Sequence, residues 1–201
     1  MRLNRLMVAV TVALAGMCVF SNATRADILL TVDLSVTDQV TITATDGLSS
    51  ATVSGADGTG VYLENFYVGA GSVLNDTLLS GDLTNSLNPP DNSPNLFRGI
   101  GGSDLGLNVF SWSTDSTVNF TAGVLAFTGS VTWGLDSASY NDMLAGNTSG
   151  NLYFPADTFD DLAVAELIGE YQVIDQTIPE PTSLALLGLG GLAMLRRRRT
   201  V

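Results

Sequence analysis

Histidine and lysine are absent from the 201 residues, and cysteine occurs once, at Cys18 in an apolar N-terminal run. The absence of histidine removes the commonest metal ligand and the usual general base at neutral pH. It also excludes serine–histidine and cysteine–histidine catalytic arrangements. Because no cysteine follows Cys18, neither disulfides nor thiolate metal sites can hold the rest of the chain together.

Positive charge is almost missing from the middle of the chain. Between residues 27 and 178, Arg98 is the one basic residue against nineteen acidic ones, which gives a net charge of −18. Binding to phosphate needs lysine or arginine, so we exclude nucleic acid as a partner. The acidity instead suits a protein that stays soluble outside the cell.

The N-terminus has the pattern of a secretory signal peptide. Two arginines precede an apolar run from Leu6 to Phe20, and small polar residues follow it. The run is shorter than the roughly 20 apolar residues that a stable membrane span requires. We therefore expect residues 1–26 to be recognised by the Sec export machinery and cleaved after Ala23 or Ala26, rather than to remain as an anchor.

Three features follow one another in residues 178 to 199. A Pro-Glu-Pro triplet precedes a 12-residue apolar run, Leu184 to Leu195, and an arginine cluster follows that run. The triplet is Pro179, Glu180 and Pro181, and the cluster is Arg196, Arg197, Arg198 and Arg199. A helix of this run covers about 18 Å of a hydrocarbon core near 30 Å, which favours a short, transient transmembrane anchor in the inner membrane. By the positive-inside rule, the arginines stay in the cytoplasm.

These three features together resemble the PEP-CTERM sorting signal of Gram-negative bacteria. The resemblance implies recognition by an exosortase, a membrane transpeptidase that removes the tail near the Pro-Glu-Pro triplet. It also implies association with extracellular polysaccharide, biofilm or the outer surface. The alternative is a proline-rich linker before an ordinary C-terminal anchor. Because such a tail is attached to many unrelated domains, it carries no information about the fold that precedes it.

Residues 27–178 alternate apolar and polar side chains with a period of two. One such stretch contains Val32, Leu34 and Val36, and similar runs recur between glycine and asparagine residues along the segment. Threonine, valine and aromatic residues agree with strands. We predict an all-β domain, a β-sandwich or jelly roll, between the signal peptide and the tail at residues 179–201.

Local signals within this segment predict further features. Asp57-Gly58 lies between two apolar runs and predicts a hairpin turn. Asp136 or Ser137 is predicted to cap a short helix over 137–145. Residues 81–94 are predicted to form a long loop, and 162–174 a last long strand.

One acidic segment invites a calcium hypothesis. Asp157, Asp160 and Asp161 lie close together in the sequence, and extracellular modules bind calcium through carboxylate and carbonyl oxygens of flexible loops. The spacing does not match the 12-residue loop of an EF-hand. The alternative is that these aspartates form turns by hydrogen bonding to their own backbone.

Two tryptophans and the acidic residues suggest action on carbohydrate. Trp112 and Trp133 end strand-like runs, where exposed rings would stack on sugars, although tryptophan at such positions is also a usual core residue. A glycoside hydrolase needs two carboxylates about 5 to 9.5 Å apart. Glu166 and Glu170 are predicted to lie on one strand about 13 Å apart, which is too far. Arg98 is expected to pair with a nearby acid.

From these patterns we expect an exported, non-enzymatic protein of the cell surface or extracellular matrix, associated with exopolysaccharide or biofilm and processed at its tail. The first alternative is a carbohydrate- or calcium-binding surface module. The second is a polysaccharide-active enzyme that uses an acidic pair. No residue is assigned a catalytic role, and no cofactor other than calcium is expected.

Overall fold

The computed structural model describes residues 26–70, 73–88, 94–99, 104–112 and 116–174. The predicted signal peptide, apart from Ala26, and the predicted tail lie outside these ranges. The strands within them are β1 (Ile28–Asp33), β2 (Gln39–Ala44), β3 (Val53–Ala56), β4 (Val61–Leu63), β5 (Asp76–Asn85), β6 (Asn95–Phe97), β7 (Leu107–Phe110), β8 (Thr117–Phe120), β9 (Phe127–Leu135), β10 (Ser149–Phe154) and β11 (Glu166–Ile174). The helices are α1 (Ser137–Leu144) and a 3₁₀ helix (Phe159–Ala163). The prediction of an all-β domain is confirmed.

Nine strands form one sheet, in the order β5-β9-β2-β1-β11-β10-β4-β7-β6, and β3 pairs separately with β8. The β1–β11 pair is parallel, and the remaining pairs of described strands are antiparallel. This arrangement differs from the predicted sandwich, which requires two sheets of comparable size facing each other.

The long sheet curls around a single hydrophobic core. Thr84 lies on β5, the strand at one edge of the sheet, and donates a hydrogen bond of 3.1 Å to the carbonyl oxygen of Trp112. Trp112 follows β7, which is next to the strand at the other edge, so the two ends of the sheet approach each other. The ring of Phe120 on β8 lies 5.2 Å from Phe127 and 5.0 Å from Phe154, both on the long sheet. The small sheet therefore covers the same core that the long sheet encloses, and burial of this apolar surface drives the fold.

The period-two pattern places apolar side chains inward and hydroxyls outward, as strand geometry requires. Val40 and Ile42 on β2 are fully buried. Between them, Thr41 lies 2.8 Å from the hydroxyl of Thr132 on β9, and Thr43 makes a matching contact of 2.7 Å with Ser130. Such cross-strand hydroxyl pairs stabilise the outer face of the β2–β9 pair.

The predicted hairpin at Asp57 is wrong. Residues 57–59 do form a turn, but β3 pairs with β8, while β4 pairs with β7 and β10. Asp57 instead binds the end of β7, because its carbonyl accepts from Ser111 and its Oδ1 accepts from the Trp112 amide at 3.0 Å. The local turn signal was correct, but non-local packing selected different partners for the two strands.

The predicted loop over 81–94 is wrong in its first part, since β5 continues to Asn85. Gly81, the first residue of the predicted loop, lies within β5. It has φ +102°, and a Cβ there would lie 2.2 Å from the carbonyl oxygen of Ser130 on β9. The glycine is therefore required by the close approach of two strands and does not end β5.

The helix prediction is confirmed. Asp136 is the N-cap of α1, and its Oδ1 accepts a hydrogen bond of 2.7 Å from the amide of Ser139. The predicted last strand is shorter at its start, because the 3₁₀ helix occupies Phe159–Ala163 and β11 begins at Glu166. Among the described residues, we find no helix with the length and apolar character needed to span a membrane.

Candidate functional site

Both tryptophans proposed for carbohydrate binding lie in the hydrophobic core. Trp112 is fully buried and Trp133 is 1 % exposed. The ring of Trp112 packs edge-on against Phe127 at 5.6 Å. Neither ring offers a face to a ligand in solution, so this assignment is corrected: Trp133 lies on the inner face of β9, and Trp112, which follows β7, packs into the same core.

Arg98 pairs with an acid, as expected. Its Nη1 lies 2.7 Å from Oδ2 of Asp142 on α1, and Nη2 donates to the carbonyl of Gly69 at 2.9 Å. The guanidinium also lies 3.6 Å above the ring centre of Tyr67. Because the guanidinium makes these three contacts within the protein and only 5 % of the residue is exposed, Arg98 is a structural residue.

A cavity of about 230 Å³ opens on the outer face of β6 and β7. Phe97 on β6 is directly opposite Asn108 on β7, and Phe110 lies two residues further along β7, so the three side chains share one face of the strand pair. Gly58 of the β3–β4 turn and Asp157, which follows β10, complete the lining. Four separate segments of the chain therefore meet at this cavity.

Asn108 forms the buried polar part of the cavity and is 1 % exposed. Its Nδ2 donates to the carbonyls of Thr59 at 2.8 Å and Ala156 at 2.7 Å. These two bonds hold the β3–β4 turn and the segment after β10 against β7. Both amide hydrogens are thereby used, and Oδ1 remains as the hydrogen-bond acceptor of this side chain.

A pair of carboxyl groups lies at the rim of the cavity. The side chains of Asp157 and Asp161 share a hydrogen bond, which raises the pKa of Asp157, with burial adding to the effect. Hydrogen bonds from the amide and side chain of Asp157 lower the pKa of Asp161. The amide of Asp157 donates to Oδ2 of Asp161 at 3.1 Å. As the pH falls, the first proton is therefore taken up by Asp157 and shared with Asp161.

The three aspartates proposed for calcium do not form one group. Among the described residues, no set of three or more acidic side chains converges in a way that could hold a metal ion. Asp157 and Asp161 face each other across the start of the 3₁₀ helix, and Asp160 does not join them. The turn interpretation accounts for the pair, because Asp161 caps the amide of Asp157.

The carboxyl pair is also unsuited to glycoside hydrolysis. Its two side chains are in hydrogen-bond contact, whereas glycosidase carboxyls stand about 5 to 9.5 Å apart to accommodate the sugar or a water. Glu166 lies on β11 as predicted, and so does Glu170. A bulge interrupts β11 where it pairs with β10, so their spacing is not that of a regular strand.

A second hollow lies where β5 begins and β9 ends, and it is lined by Leu74–Thr77 and Gly134–Asp136. Its polar groups are largely used within the protein. Asp136 caps α1 and accepts a hydrogen bond of 2.8 Å from Asn75 Nδ2. The cavity on β6 and β7 is therefore the better candidate, because Asn108 retains an acceptor there and two phenylalanines provide apolar walls.

Sequence reasoning missed most of this cavity. The sequence indicates Asp157 as a candidate calcium ligand and Gly58 as a turn residue, but it does not predict a site at Phe97, Asn108 or Phe110. Asn108 lies between two buried apolar residues of β7, and a polar residue in such a run was the one signal available. The pairing of β6 with β7 places Phe97 beside it, and no local pattern in the sequence specifies that pairing.

The C-terminal segment, which lies outside the described residues, is similar to a known protein family. Residues 177–199 match the family described as the PEP-CTERM protein-sorting motif. The chain carries a PEP-CTERM sorting motif. This confirms the resemblance seen in the Pro-Glu-Pro triplet and the arginine cluster.

The PEP-CTERM motif indicates an exported protein that passes through the membrane and is recognised by an exosortase. The match covers 23 residues of the tail and says nothing of the β-rich domain. No curated protein and no solved structure matches this chain. The function of the domain must therefore be argued from its own residues.

Proposed function

We propose that this chain is a structural protein of the cell surface or extracellular matrix, without enzymatic activity, whose PEP-CTERM tail is removed after export. The motif at residues 177–199 carries the proposal. A Sec signal peptide at residues 1–26 starts export, and the apolar run of the tail holds the chain briefly in the inner membrane. Exopolysaccharide or biofilm is the final environment.

The charge distribution supports this topology. Four of the eight basic residues lie in the tail cluster, whereas residues 27–178 carry a net charge of −18. Clustered arginines favour the cytoplasmic side of a membrane, so the acidic domain lies on the opposite side. A strongly acidic domain also stays dispersed in the extracellular medium, because copies of it repel one another.

Intact-mass measurement of the protein from the cell surface tests the processing step. We expect a mature C-terminus near Pro179, without the arginine cluster. A variant in which Arg196–Arg199 are replaced by glutamine loses four positive charges from the tail and should accumulate unprocessed. Surface material that still contains Arg196–Arg199 would refute the proposal.

The second candidate function is a carbohydrate-binding surface module, and the cavity on β6 and β7 favours it. Phe97 is 42 % exposed at the cavity, where an aromatic face is available to a sugar ring. Pull-down on the purified extracellular polysaccharide tests this function. We expect Phe97→Ala to weaken retention and Phe159→Ala, which removes a somewhat more exposed ring outside the cavity lining, to leave it unchanged.

Calcium binding is a weaker form of the module hypothesis, because Asp160 does not join Asp157 and Asp161. A thermal midpoint that is the same in millimolar Ca²⁺ and in chelator would refute calcium binding.

The polysaccharide-active enzyme has no supporting observation in the described residues. Release of reducing sugar from the polysaccharide, abolished by one acid substitution, would reinstate it.

A further inference from the structure

The side chains that line the cavity on β6 and β7 offer hydrogen-bond acceptors but no donors. Asn108 has used both hydrogens of its Nδ2, and Oδ1 remains. Asp157 contributes a carboxyl group, and its backbone amide is bound to Asp161. Phe97 and Phe110 have no polar atoms. A ligand group that only donates hydrogen bonds therefore suits these side chains better than one that mainly accepts them.

A protonated primary amine has this character, with three donors and no acceptor. The Asp157–Asp161 pair carries negative charge at neutral pH, and residues 27–178 together carry −18, so a cation is drawn toward the cavity. A carboxylate with an ammonium makes a charge-assisted hydrogen bond, about twice as strong as a neutral one.

The aromatic walls favour the same ligand. A cation above an aromatic ring is attracted by the negative face of the ring. This chain uses that contact internally, where Arg98 lies 3.6 Å above Tyr67. Phe97 and Phe110 also provide apolar surface for the carbon skeleton that carries the amine. A volume of about 230 Å³ is smaller than the roughly 300–1,000 Å³ of sites for drug-sized ligands, which limits the occupant to one small ring or a short chain.

We propose that the cavity formed by Phe97, Asn108, Phe110 and Asp157 binds a protonated amino sugar, with the ammonium group between Asn108 Oδ1 and the Asp157 carboxylate. This inference rests on the carbohydrate-binding form of the proposed function and adds the chemical class of the sugar. A polysaccharide with free amino groups is the matching matrix component.

Isothermal titration calorimetry of the full chain with glucosamine, N-acetylglucosamine and glucose tests the proposal. Glucosamine should bind at least about tenfold more tightly than the other two, because acetylation and replacement by hydroxyl both remove the positive charge. Equal binding of glucose and glucosamine, or no binding of any of the three, would overturn the proposal. Propylamine that binds as tightly as glucosamine would overturn the assignment to a sugar.

Two matched pairs of variants locate the site. Asp157→Asn should weaken glucosamine binding about tenfold, while Asp160→Asn removes the same charge outside the cavity lining and should change it less than about twofold. Phe97→Ala should weaken binding, and Phe159→Ala should not. Thermal unfolding of each variant verifies the fold. Equal losses within either pair would move the site elsewhere.

The outcome for this site is separable from that of the proposed function. If the polysaccharide retains the wild type and Asp157→Asn equally, carbohydrate binding is supported and the amino-sugar site is refuted. If tail processing fails in the intact-mass experiment, the surface role is refuted whatever the calorimetry shows.

Discussion

Arg98 and Asp142 form an ion pair of 2.7 Å that ties the end of β6 to α1. The guanidinium is almost fully buried, whereas the Asp142 side chain is 37 % exposed. The chain places the single cation of its acidic segment against an acid that lies 44 residues away in the sequence. Removal of the acid therefore leaves a buried positive charge with only the Gly69 carbonyl and the Tyr67 ring as described partners.

The first prediction concerns this ion pair. Asp142→Asn should lower the free energy of unfolding by about 1–2 kcal/mol, less than the roughly 3–5 kcal/mol of a fully buried pair, because Asp142 remains partly in water. Urea unfolding measures the change. The double variant Arg98→Met/Asp142→Asn should lose less than the sum of the two single variants. Strict additivity would contradict an interaction between the two residues.

The second prediction concerns the contact between Gly106 and Tyr62. A Cβ at Gly106 would lie 1.9 Å from Cζ of the buried Tyr62 ring, which also donates a hydrogen bond to Asp104. Gly106→Ala should therefore cost about 1–3 kcal/mol of stability through overpacking, as measured by urea unfolding. Gly69→Ala is the control, since nothing lies within 4 Å of its Cβ, and it should be neutral or slightly stabilising. Equal effects of the two substitutions would argue against the packing at Tyr62.

The third prediction concerns pH and the N-cap of α1. Hydrogen bonds from Ser139 and Asn75 lower the pKa of Asp136. A carboxyl whose folded-state pKa is lowered adds stability above its unfolded pKa, and this stability is lost as the pH falls through the folded pKa. Wild type should thus have a higher thermal midpoint than Asp136→Asn at neutral pH, and the difference should vanish in acid.

Asp136→Ala completes this test, because alanine removes the capping oxygen as well as the charge. Its midpoint should lie below that of Asp136→Asn at every pH, since asparagine still caps a helix. A difference between wild type and Asp136→Asn that grows toward acid pH would have the wrong sign for a lowered pKa.

The fourth prediction concerns the two tryptophans. Trp112 and Trp133 are the only tryptophans of the chain, and each is no more than 1 % exposed. Native fluorescence should be poorly quenched by acrylamide, a neutral probe that the acidic surface does not repel, and urea should make both rings accessible. Single Trp112→Phe and Trp133→Phe variants assign the signal to each ring. Strong native quenching would place a tryptophan at the surface and revive the original carbohydrate assignment.

The sequence predicted features that depend on neighbours along the chain. The alternation around Val32 predicted a strand there, although β1 ends at Asp33, before Leu34 and Val36, and Asp136 was one of the two residues predicted to cap the helix. Partners were harder to predict: β3 and β4 flank a correctly predicted turn, yet each pairs with strands distant in the sequence. The alternation of apolar and polar residues specifies which face of a strand is buried, but it does not specify which strand lies beside it. Strand pairing therefore depends on how the whole chain packs.

The sequence by itself indicated, through its C-terminal motif, that the protein is exported and recognised by an exosortase. The absence of histidine and of cysteine beyond Cys18 excluded whole classes of chemistry, and the tail at residues 177–199 identified the sorting motif. Only the tertiary structure decided that both tryptophans are internal and that Asp157 lies beside Asn108 and Phe97. The physical reason is that a short motif is recognised as a linear segment, whereas a cavity exists only when distant strands pack around one core.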